Sequence, residues 1–146
     1  MYKALDIAKK IIEMANVDTT SGGDGMTNLK LQKILYYEQG YHLAYFGKPL
    51  FKEDIESWMY GPVVPEVYEY YNKYQATALP IEKYSLHLSE RENELFFNVY
   101  EALKEFSAIG LMNRTHQETP WKEAKPHDRG TVISIESMMS YFKARI

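Results

Sequence analysis

Residues 27–46 read TNLKLQKILYYEQGYHLAYF and run straight into Gly47-Lys48-Pro49. The Thr27 side chain can accept from a free N–H of a helix's first turn, while Gly47 can take the left-handed conformation that ends one, with Pro49 just beyond. The spacing predicts a helix from Asn28 to about Phe46. At 100° per residue, Leu31, Ile34, Leu35, Tyr41, Tyr45 and Phe46 form a broad apolar arc. Leu29, Tyr36 and Leu43 widen that arc until only a narrow face with Lys30, Lys33 and Tyr37 remains. A helix this apolar belongs at the centre of a bundle.

On its N-terminal side, Ala4, Leu5, Ile7, Ala8, Ile11, Ile12, Met14 and Ala15 recur every three or four residues. They predict an amphipathic helix from Tyr2 to about Asn16. Gly22, Gly23 and Gly25 mark the loop between the two helices; no Gly-Lys-Ser/Thr follows, so it lacks the elements of a phosphate loop. On the other side, IESWMYGPVV (55–64) reads as a short extended segment and turn, and Pro65 suits the first position of a helix over PEVYEYYNKY. Ser89 with Glu92 is a capping box for a helix whose stripe is Leu95, Phe96, Val99, Leu103 and Phe106. Ser107 caps a further short helix, and Thr119-Pro120-Trp121 repeats the start signal, with Thr119 as the cap. The tail reads as at most a short strand at TVISI, then a helix from about Glu136 to Arg145, with Ser134 as an alternative, earlier cap. The expected architecture is all-α, a compact orthogonal bundle with at most one short β-hairpin, forming a single domain over 1–146.

Composition narrows the function classes. The chain has no cysteine, which removes disulfides, thiolate zinc sites and cysteine nucleophiles. Its net charge of -3 argues against a general nucleic-acid footprint. No apolar run approaches the roughly 20 residues of a membrane span, and the N-terminus is broken by Asp6, Lys9, Lys10 and Glu13, so a cytoplasmic protein is expected. The 13 tyrosines, with 6 Phe and 2 Trp, are an unusual load that suits core margins and partner interfaces alike.

Four polar residues fall in or beside the apolar arc: Gln32, Glu38, Gln39 and His42. Buried polar groups need partners, and Glu38 and His42 at i and i+4 are placed to satisfy one another, with tyrosine hydroxyls completing the network. The favoured reading is structural; a binding cleft or one edge of a metal site are the alternatives. Trp58 and Tyr60, around the Gly61-Pro62 turn, are expected to pack back onto the second helix. His116, with Trp121, reads as a packing or capping residue. No nucleophile elbow, paired carboxylates or His-Glu-x-x-His is present, so neither catalytic residues nor cofactor are assigned. His127-Asp128 reads as a solvated pair.

Four ordered blocks carry a resemblance: TNLKLQKILY (27–36), QGYHL (39–43), GKPLF (47–51) and IESWMYGPVVP (55–65), followed more loosely by Leu111, Thr115-His116 and Pro120-Trp121. Together they resemble the Panacea antitoxin family, the phage-associated GepA-like proteins, in which a smaller residue is commoner at the position of Glu38. The resemblance implies an antitoxin that neutralises a toxin encoded nearby by direct contact, without enzyme chemistry. Alternatives are an adaptor that delivers the toxin to a protease, a small DNA-binding regulator and a metal-dependent enzyme. For direct contact, Tyr70, Tyr71 and Tyr74 are the expected exposed anchors.

Overall fold

The computed structural model describes residues 1–20, 25–125 and 130–146. Among them are seven α-helices and one two-stranded antiparallel hairpin, as expected for an all-α chain with one short hairpin. The elements are α1 (Ala4–Thr20), α2 (Asn28–Phe46), β1 (Glu56–Trp58), β2 (Gly61–Val63), α3 (Pro65–Tyr71), α4 (Glu90–Leu103), α5 (Ala108–Thr115), α6 (Thr119–Glu123) and α7 (Ile135–Lys143). The expected glycine loop at Gly22 and Gly23 and the pair His127-Asp128 lie outside the described residues.

α2 starts and stops where its caps dictate. Thr27 Oγ1 accepts from the Lys30 N–H, and Gly47, at φ 71°, closes the last turn on the Leu43 carbonyl. Every residue from Leu31 to Gly40 is buried, because α1, α3, α4, α5, α7 and the hairpin all pack against this helix. Lys33 and Tyr37, assigned above to a polar face, are therefore fully buried, whereas Tyr45, placed in the apolar arc, is exposed where α2 runs past its neighbours.

The deepest contact sits at Gly40. Phe142 of α7 lies on it so closely that a Cβ there would come within 2.2 Å of the ring. Tyr36, Tyr37 and Tyr41 meet the same ring edge-on, at centroid distances of 5.5, 6.0 and 4.8 Å. Glycine is thus required in mid-helix, where it ordinarily costs about 1 kcal/mol against alanine.

Several boundaries differ from the sequence expectations. α1 continues to Thr20, beyond Asn16. The cap of α6 is Glu118 rather than Thr119, and its carboxylate is turned away to other partners. The TVISI segment forms only a bridge, Glu56 with Val132, flanked by Ser57 N–H to Thr131 carbonyl (2.9 Å) and Ile133 N–H to Ile55 carbonyl (2.8 Å). Ser134 caps α7, which begins at Ile135.

Phe142→Ala is expected to cost about 3–5 kcal/mol in denaturant unfolding, through a large-to-small core cavity. Gly40→Ala should cost about 1–3 kcal/mol by overpacking. Because both act on one contact, the double variant should be destabilised by clearly less than the two single costs combined. Strict additivity would show that Phe142 does not bear on Gly40.

Candidate functional site

The polar side chains of α2 divide into groups that the fold uses in different ways. Gln39 acts as a backbone clamp: its Oε1 accepts from the N–H groups of Leu50 (2.7 Å) and Phe51 (3.3 Å), and its Nε2 donates to the Phe51 carbonyl (2.8 Å). Gln32 holds the residue after β2, accepting from the Val64 N–H at 2.8 Å while donating to the Asn28 Oδ1 at 2.9 Å. These two amides fix the segments that lead into and out of the hairpin.

His42 is not linked to Glu38. Its Nδ1 donates to the Lys48 carbonyl and its Nε2 meets Glu92 Oε2, both at 2.7 Å. Glu92 also takes the Tyr2 hydroxyl at 2.6 Å and the Ser89 N–H at 3.1 Å. The capping-box glutamate of α4 thus joins the N-terminus, α2 and α4. Burial pushes its carboxyl up, but the hydrogen bonds from Tyr2, His42 and Ser89 outweigh this and hold it at about 2.

Glu38 is buried, and its Oε2 lacks a hydrogen-bond partner. Its i+4 neighbour fails it because His42 is committed to Lys48 and Glu92. Burial pushes the Glu38 carboxyl well above the usual range against the pull of Lys10, which favours its neutral form.

A further group, in which the sequence singled out His116 and Trp121 but not Lys33 or Glu118, lies beneath the hairpin. Lys33 is fully buried, its Nζ without a partner, and burial brings its ammonium down to about 7. Its Cε would stand 2.7 Å from a Cβ on Gly61, whose φ of 105° equally demands glycine. Beside it, His116 stacks on Trp121 at 4.0 Å, and Trp121 Nε1 donates to the Trp58 carbonyl at 2.8 Å. Burial lowers the His116 ring, and Lys33 adds to that against a backbone contact with Met59; its Nε2 is buried and unpartnered. Nearby, Glu118 accepts from the hydroxyls of Tyr36 and Tyr37, each at 2.9 Å, with Arg114 Nε at 3.8 Å. For Lys33 and Glu118 the sequence signals were a lysine within a nearly continuous apolar helix and the i, i+4 pair of Arg114 and Glu118.

Trp58 is buried; its ring meets Tyr68 of α3 at 5.0 Å and its Nε1 donates to Glu56 Oε1. Other expected positions are corrected. Tyr60 occupies the hairpin tip and is 65% exposed, because the tight turn is Met59-Tyr60, while Gly61 and Pro62 already belong to β2. Of the expected anchors, Tyr71 is fully buried; Tyr70 is exposed but donates to Glu82, and Tyr74 packs partly against the core. Among the described residues no three His, Cys, Asp or Glu side chains come together as a metal site would require. No helix among them is long and apolar enough to cross a membrane.

The chain belongs to the Antitoxin SocA-like, Panacea domain family, whose sequence profile matches residues 31–122. Over 43 residues it is 46% identical to Antitoxin SocA of Caulobacter vibrioides (strain NA1000 / CB15N), a stretch covering 30% of this chain and 23% of that protein. No solved structure matches the chain. The matched residues include Lys33, the hairpin, His116 and Trp121.

Two pH-dependent outcomes are expected. Lys33 has a folded value near 7 against 10.5 unfolded, so the unfolded chain binds more protons between these limits and stability should rise with pH from 7 toward 9. Lys33→Met should remove that slope and raise stability at pH 6; chemical denaturation across this range measures both. Glu92 has the opposite sign: its stabilisation is present above 4.5 and is lost as pH falls toward 2. Glu92→Gln should cost about 3 kcal/mol at pH 7 and flatten the acid limb of the melting profile.

Proposed function

We propose that this protein is an antitoxin that acts in the cytoplasm and neutralises a toxin encoded nearby by direct protein–protein contact. The observation that carries this reading is the family match over 31–122, which takes in most of α2, the hairpin, α3 to α5 and nearly all of α6. The packing agrees with a binding role. Gln32, Gln39, His42 and Glu92 are engaged within the fold, so these polar residues serve its packing. A DNA-reading role for α2 finds no support, since a helix buried at every position from 31 to 40 has no face to lay in a groove. The chain is proposed to act as one domain over 1–146 without a cofactor.

The neighbouring reading frame, placed under an inducible promoter, should arrest growth alone and permit growth when this protein is co-expressed. A stable complex should then be recovered by affinity capture with the toxin undegraded. Loss of the toxin in place of a complex would favour the protease-adaptor alternative. A neighbour that is harmless alone, or toxicity undiminished by abundant folded protein, would overturn the antitoxin reading.

A further inference from the structure

α1 and α4 both pack on α2, and residues of both line a groove of about 560 Å³. Its lining combines apolar side chains, chiefly Met14, Phe96 and Phe97, with carboxylates at Glu90, Glu94 and Glu101. Along α4, Glu90, Glu94, Phe97 and Glu101 follow at i, i+4, i+7 and i+11, which places them on one face. The Phe97 ring is 53% exposed in the middle of that acidic face.

We infer that this groove is the docking site for a lysine- or arginine-bearing amphipathic helix of the toxin. The stripe gives the isolated domain little. Glu90 and Glu94 at i, i+4 repel one another, and neither makes an ion pair among the described residues, whereas Glu101 pairs with Lys104 at 2.9 Å. Glu90 gains from the helix N-terminus, but Glu94 lies beyond the first turn. A half-exposed phenylalanine among carboxylates likewise gains only part of its burial from its own fold. All three become favourable together if an apolar ridge covers Phe97 while cations reach Glu90 and Glu94.

The groove's shape selects a helix, since a groove lined by two helices offers a trough for the ridge of a third. A second copy of this chain is disfavoured, because a two-fold contact through the groove would set one acidic stripe against the other. The one cation in the lining, Lys10, sits 5.7 Å over the Phe96 ring on the α1 side. Naming the occupant as a toxin segment rests on the antitoxin reading; the groove's chemistry does not.

The experiment uses the full chain, isotopically labelled, titrated with a synthetic amphipathic helix of about 18 residues, five turns, bearing leucines on one face and lysines on the other. A second peptide has glutamates for lysines. The lysine peptide should shift resonances of α1 and α4, and its binding should weaken with added salt as the exposed charges are screened beyond about 8 Å. Phe97→Ala and Glu94→Lys should each weaken it about tenfold, as loss of an interface anchor does, with melting temperatures unchanged. Tyr70→Ala, on another surface, should bind as the parent does. Equal binding of both peptides, shifts centred elsewhere, or Phe97→Ala and Glu94→Lys variants that bind like the parent would overturn the assignment. So would a dimer of the unliganded protein that Phe97→Ala dissolves, for then a second copy fills the groove.

The same variants in the growth assay separate this inference from the one it rests on. If the parent rescues growth and both groove variants fail while remaining folded, the groove assignment holds in the cell. Rescue by the parent and both variants alike would leave the antitoxin reading standing and remove the groove from it. If the parent itself fails to rescue, the antitoxin reading falls and the peptide titration alone decides the groove.

Discussion

The constraint on which this structure depends is the burial of α2 on every side. A helix surrounded by five others and a hairpin has no solvent face onto which a misfit can be turned, so every residue from Leu31 to Gly40 must be accommodated in the interior. Two consequences run in opposite directions. Where backbone must approach, side-chain volume vanishes, as at Gly40 under Phe142. Where α2 carries polar groups, they must either find partners or give up their charge.

Both solutions occur on the same helix. Gln32 and Gln39 spend their amides on backbone groups of the irregular segments around the hairpin, which would otherwise bury unsatisfied donors. His42 spends both ring nitrogens, one on a loop carbonyl and one on Glu92, so that a single carboxylate ties three parts of the chain together. Glu38 and Lys33 take the other course. Each is buried with an atom lacking a partner, and burial moves each toward its neutral form. They lie five positions apart, about 140° around the helix, too far round to pair with one another.

The same economy bears on where partners bind. The residues that stand out in the sequence as oddities of an apolar helix are buried in the bundle, and Tyr71, an attractive anchor by composition, is inside it too. α4, by contrast, keeps an exposed face that carries carboxylates and Phe97.

What the sequence determined by itself was local. The Thr27 and Gly47 caps, the Ser89–Glu92 capping box, Pro65 at a helix start and the turn signals around Gly61 each act within a few residues, and the structure realises them where the chemistry places them. The apolar periodicity likewise announced α2 as central, and the ordered blocks from Thr27 to Pro65 pointed to the family. Only the tertiary structure decided which polar side chains meet. His42 and Glu92 are fifty positions apart, Tyr36 and Glu118 eighty-two, and no spacing rule reaches that far. Nor could periodicity tell that Lys33 and Tyr37 lie inside while Tyr45 lies outside, because a helical wheel ranks faces by hydrophobicity, whereas burial is set by how many neighbours pack around the helix at each level.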